Sequence, residues 1–119
     1  LDCTLNQLTS LDLSKCTALE SLNCAVNKLT ELDITKSLRL ETLNCCNNRI
    51  TELDSRQNIY LKALSCLTNQ LTTLDLRKNT ALTRLNCEVN KIQVICLASL
   101  AQVKSNWTKD DSAVYKVCN

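Results

Sequence analysis

Leu19 to Leu29 reads LESLNCAVNKL. Leucines hold its first, fourth and eleventh places, a cysteine the sixth and an asparagine the ninth. The string returns as LETLNCCNNRI from Leu40, LKALSCLTNQL from Leu61 and LTRLNCEVNKI from Leu82. Leu1, Cys3, Asn6 and Leu8 occupy the same slots in a further copy. Cys3, Cys24, Cys45, Cys66 and Cys87 therefore form one column at a period of 21, and Asn6, Asn27, Asn48, Asn69 and Asn90 form another. Five copies agreeing at one period indicate stacked coils that share a continuous core.

The form L-x-x-L-x-C-x-x-N-x-L is the leucine-rich-repeat signature with cysteine at its third apolar place. It predicts a solenoid of the α/β class, mostly β and irregular: a right-handed superhelix with a parallel concave sheet. Residues 1–92 supply about five coils, and residues 93–119 are expected to form a C-terminal capping segment. In the strand of each coil, as in Ser21–Ala25, the period of two turns Leu22 and Cys24 inward and Ser21, Asn23 and Ala25 outward. The column asparagines are expected to bond backbone groups of their own and adjacent coils.

The second half of each repeat, as in Leu8–Lys15 (LTSLDLSK), predicts an extended or turn-like convex side. A repeat of this length leaves little room for a helix. Asp12, Asp33, Asp54 and Asp75 make a column of like charge, and Lys15, Lys36 and Lys78 are expected to offset part of it. A calcium ladder would need the Gly-rich repeat that binds that ion, and the chain has no Gly. Ser55 replaces an inward Leu or Ile, which predicts a thinner core or a shifted loop there. Past Ile92 the pattern fails. The stretch from Ala98 to Ser105 and the only tryptophan, Trp107, suit a cap over the exposed end of the solenoid. Asn106-Trp107-Thr108 matches the N-glycosylation sequon, a match short enough to arise by chance.

Composition excludes several chemistries. The chain has 119 residues, 14 basic and 12 acidic, for a net charge of +2, and no basic tract that would call for nucleic acid. No apolar run is long enough for membrane insertion as a helix. With no His there is no His-based triad or His metal site, and with no Gly no Walker loop or dinucleotide fingerprint. The expectation is a non-enzyme without cofactor or metal. With neither Gly nor Pro, Asn is expected to supply the left-handed turn conformations. The chain begins mid-repeat without an initiator Met or signal peptide, so it is expected to be a piece of a longer protein.

Nine cysteines remain to be placed. Neighbouring in-register strands lie about 4.8 Å apart with parallel side chains, the wrong direction for disulfides within the column. Nor can a straight column converge on a tetrahedral zinc. The five column cysteines are read as buried free thiols acting as small hydrophobes. Cys46 follows Cys45, so the period of two turns it outward as the most exposed thiol, and Cys16 falls in a convex loop.

The cysteine and asparagine columns over residues 1–92 resemble the cysteine-ladder leucine-rich repeats of internalin J-type bacterial surface adhesins. LTSLDLSK (Leu8–Lys15), LTTLDLRKNTALTRLNC (Leu71–Cys87) and the tail Asn106-Trp107-Thr108, Asp111, Tyr115 and Cys118 also look like secreted surface proteins of Gram-negative bacteria. The resemblance implies export, to the medium or the cell surface, and a binding or adhesive role. Exported proteins favour disulfides, and Cys96 and Cys118, outside the column and bracketing the cap, are the expected pair. The expected function is a monomeric protein-binding module, for a protein or glycan ligand, using the concave residues Asn23, Asn44, Asn47, Arg49, Leu67, Arg84, Asn86, Glu88 and Lys91. The alternative is a structural spacer that projects another domain.

Overall fold

The computed structural model describes residues 1–119 as a stack of coils measuring 34 × 27 × 23 Å. The concave sheet contains β1 (Ser21–Asn23), β2 (Thr42–Asn44), β3 (Ala63–Ser65) and β5 (Arg84–Asn86), all parallel and in register. Single bridges extend it at both ends, Asp2 to Asn23 and Asn86 to Thr108. On the convex side β4 (Thr73–Asp75), β6 (Val94–Leu97) and β7 (Val114–Val117) form a second parallel sheet. The chain has no α-helix, only a 3-10 turn at Leu100–Gln102. It is a leucine-rich-repeat solenoid.

Each coil contributes the same inward set. Leu22, Leu43, Leu64 and Leu85 come from the concave strands, Cys24, Cys45, Cys66 and Cys87 from just beyond them, and Leu32, Leu53, Leu74 and Ile95 from the convex side. All are buried in one continuous core. Cys3 lies at the open first coil and is half-buried. Burial of apolar area, at roughly 25 cal/mol per Å², is the main term holding the stack together.

The coils are tied by polar ladders. Asn48 Nδ2 donates to the carbonyls of Cys24 (3.0 Å) and Cys45 (3.1 Å), while its Oδ1 accepts from Leu29 N–H (3.0 Å). Asn27, Asn69 and Asn90 repeat this arrangement in their own coils. Asn6, in the first coil, bonds only the Cys3 and Thr4 carbonyls.

A second ladder, not foreseen from the repeat, runs down the opposite corner. Asn58 Nδ2 bonds the Ile34 and Ser37 carbonyls, and Asn79 Nδ2 bonds those of Ser55 and Asn58, all within 2.9–3.0 Å. Ser55 belongs to this ladder. It is fully buried, and its hydroxyl lies 2.8 Å from Asn79 Oδ1, so the core there is filled by a hydrogen bond instead of being thinned. The coil above has Ile34 at that slot, and Asn58 Oδ1 is left buried without a partner.

Three further expectations need correction. The left-handed residues are Leu5, Val26, Asn47, Thr68 and Val89, with φ between 54° and 58°, so Asn fills that slot only once. The slot directly precedes the ladder asparagine, whose side chain is already committed to carbonyls. Stacking then imposes the left-handed backbone on whatever residue stands there. The ion pairs on the aspartate column are made by Arg56 and Arg77, which form two-pronged pairs with Asp54 and Asp75; of the expected lysines, Lys36 acts on Asp33 through charge alone. A planar guanidinium two residues along matches the carboxylate in a way that an ammonium three residues along does not.

Third, the tail forms another coil instead of breaking the pattern. Thr108 continues the concave sheet, Trp107 enters the core, and β7 continues the convex sheet. The carboxylate of Asp110 accepts from Val89 N–H (2.9 Å) and Asn90 N–H (3.0 Å). In the inner coils those donors meet backbone carbonyls of the next coil, as Val26 N–H does with Cys46 O at 2.9 Å. Asp110 therefore ends the ladder with a side chain. Gln102 ends the other by donating to Leu76 O at 3.1 Å.

Candidate functional site

The concave face carries a groove of about 480 Å³ across β1, β2, β3 and β5. Its outward residues are Ser21, Thr42, Ala63 and Arg84 in one column and Asn23, Asn44, Ser65 and Asn86 in the next. Asn106 and Thr108 of the tail close one end. Arg84 is the only charged residue among them and forms no ion pair.

The groove asparagines are held by their own backbones. Oδ1 of Asn23, Asn44 and Asn86 accepts from the N–H two residues ahead, at Ala25 (3.2 Å), Cys46 (3.1 Å) and Glu88 (3.3 Å). Each amide is thereby fixed with its Nδ2–H donors free of protein partners. Asp2 makes the same turn through Thr4 N–H at 3.0 Å. Between the amides, Thr42 Oγ1 donates to Ser21 Oγ at 2.8 Å. The surface is therefore donor-rich, with one cation at the end nearest the tail.

The expected binding residues divide between two places. Asn23, Asn44, Arg84 and Asn86 line the groove. Asn47, Arg49 and Lys91 lie exposed on the turn beyond the strands, outside it. Leu67 and Glu88 are half-buried at the boundary. Ser21, Thr42, Asn106 and Thr108 were missed. Ser21 and Thr42 follow from the outward period, but no repeat places Asn106 and Thr108, because the tail departs from the consensus.

Cys46 is not exposed. It is 8% accessible, and its Sγ lies 2.8 Å from Ser65 Oγ. The chain leaves the strand at this point, so strict alternation no longer applies. Ala25, at the same slot, is buried as well. Burial pushes the thiols of Cys24 and Cys87 up to about 12, and those of Cys45 and Cys66 well above the ordinary value. At neutral pH these sulfurs are neutral S–H groups, unsuited to nucleophilic attack or metal ligation. Seven of the nine cysteines are free, and Cys96 and Cys118 are joined as a disulfide with Cα atoms 5.3 Å apart.

Among solved structures, the chain is similar to the functional domain of InlJ from Listeria monocytogenes, which includes a cysteine ladder. The two share 40% identity with a TM-score of 0.74, over 82% of this chain. The chain folds as a leucine-rich-repeat solenoid with a cysteine ladder, as that domain has. It spans 24% of the InlJ chain. No family model and no curated protein matches it. The buried thiols Cys24, Cys45, Cys66 and Cys87 are the ladder that gives such a domain its name. Within it the ladder is packing, while the free donors of the concave groove are what a ligand could use.

Proposed function

We propose that this domain is a non-catalytic binding module of an exported or cell-surface bacterial protein, with its ligand in the concave groove. The observation that carries this reading is the row of pinned amides, Asn23, Asn44 and Asn86, whose donors face the groove unpartnered. Oriented donors in a concavity of a few hundred Å³ are what ligand recognition requires. Similarity to the InlJ domain supports the surface and adhesive setting. The ligand is a protein or glycan, and the domain acts as a monomer without a cofactor.

The repeat itself supplies conservative test variants. Ser65 and Ala63 occupy the asparagine and arginine slots in one coil, so Asn44→Ser, Asn86→Ser and Arg84→Ala copy residues the fold already accepts. Glycan and peptide arrays probed with this chain should show signals that fall at least tenfold in the triple variant, with the thermal midpoint little changed. Signals that persist in the variant would move the site elsewhere. The spacer reading is favoured by one feature, the unbroken ladders that join every coil to the next, and it predicts no array signal at all.

A further inference from the structure

Four superposable β-turns lead into the concave strands. They are closed by Leu19 N–H to Cys16 O, Leu40 N–H to Ser37 O, Leu61 N–H to Asn58 O and Leu82 N–H to Asn79 O, at 3.1–3.4 Å. Their central pairs are Thr17-Ala18, Leu38-Arg39, Ile59-Tyr60 and Thr80-Ala81. The outer two show what the fold needs here, which is small or polar residues, as is usual for exposed turns. The inner two carry large side chains that remain in solvent: Leu38 is 51% exposed, Ile59 49% and Tyr60 57%. The turns are stacked, since Asn58 Nδ2 donates to Ser37 O (2.9 Å) and Asn79 Nδ2 to Asn58 O (3.0 Å). The apolar side chains therefore form one patch two coils wide, roughly 10 Å at about 4.8 Å per coil. Arg39 lies in it with no carboxylate partner, whereas the neighbouring Lys62 is already paired with Glu41 at 3.0 Å.

We propose that Leu38, Arg39, Ile59 and Tyr60 form a docking surface for a protein partner that presents an apolar segment beside a carboxylate. Nothing in the core or the ladders uses these side chains, and the flanking coils do without them. Tyr and Arg are among the residue types enriched in binding hot spots, and Leu38 and Ile59 add apolar area beside them. The free guanidinium calls for a carboxylate on the partner. A stable symmetric dimer needs about 800 Å² from each copy, more than a patch two coils wide supplies, so a second copy of this chain is the poorer occupant. The surface lies on the corner ahead of the strands, apart from the concave groove, and does not depend on a ligand there.

The test is a random-peptide phage library selected on the immobilised chain. The variant Leu38→Thr, Arg39→Ala, Ile59→Thr and Tyr60→Ala installs the chain's own outer-turn residues, and Tyr60→Ala alone is the milder control. Selected peptides should combine large apolar residues with Asp or Glu. They should bind the fourfold variant at least tenfold more weakly, lose affinity as salt rises, and bind the Asn44→Ser, Asn86→Ser, Arg84→Ala groove variant as they bind the unaltered chain. Peptides that bind the fourfold variant undiminished, peptides without acidic residues, or a library that yields none would overturn the proposal. So would sedimentation showing that the unaltered chain self-associates and the fourfold variant does not, because the patch would then be an interface between copies.

Discussion

Val89 shows at the level of one residue how stacking overrides local preference. A β-branched residue in the left-handed region carries a steric cost of roughly 1–2 kcal/mol that Asn largely avoids. Val26 and Val89 hold that conformation, at φ of 56° and 55°. Replacing Val89 by Asn, the residue of the Asn47 coil, should raise stability by about 1 kcal/mol in urea unfolding. The opposite change, Asn47→Val, should lower it by a similar amount. No stability change in either variant would mean that the slot is not strained. The sequence could not have located this slot. Asn47 carries the expected turn residue, but Leu5, Val26, Thr68 and Val89 do not, and the constraint arises from the neighbouring ladder asparagine. The cysteine and asparagine columns, by contrast, were legible because each coil demands the same small apolar group and the same amide. Cys46 was misread for a related reason: alternation holds only within a strand, and the chain has already turned there.

The element that ends the solenoid follows chemistry that repeat counting does not reveal. Asp110 receives two backbone N–H groups that inner coils offer to carbonyls, and those bonds hold its carboxyl below the usual range. Its site is partly open to water, so Asp110→Ala should cost only about 1 kcal/mol. A carboxyl whose folded pKa is depressed stabilises the fold above its unfolded value, near 4, and loses that contribution as pH falls through the folded value. Asp54, held down to about 2 by Arg56, and Asp75, lowered by Arg77, act in the same direction. Urea midpoints should therefore decline between about pH 4 and pH 2. The gap between the unaltered chain and Asp110→Ala should narrow as pH falls below about 4, and a gap that stays constant would show that the carboxylate is not the cap. The sequence pointed to a cap through its lone tryptophan and lost period. It did not show that the cap is itself a coil, because Thr108 and Asp110 do by hydrogen bonding what the repeat residues do by identity.

Over the whole molecule, one covalent link supplements the stack. The Cys96–Cys118 disulfide closes a loop with a sequence separation of 22 and fastens the last coil to the one before. In the chain-entropy model such a closure contributes about 3 kcal/mol. Reduction, or Cys118→Ser, should therefore lower global stability by about that amount and first release the segment from Ala98 onward. Hydrogen exchange would show this as lost protection at Cys118 N–H and Val114 N–H ahead of the inner strands. Equal loss throughout would mean that the coils unfold as one unit with the tail. The inner ladders raise a different matter. The Asn48 side chain reaches the coil before its own and no farther, and those of Asn69 and Asn90 do the same. A gene that duplicates or deletes one 21-codon unit thus changes length without renegotiating any contact inside the units it keeps. The length of the solenoid becomes adjustable in steps of about 4.8 Å, independently of the residues that each unit presents outward.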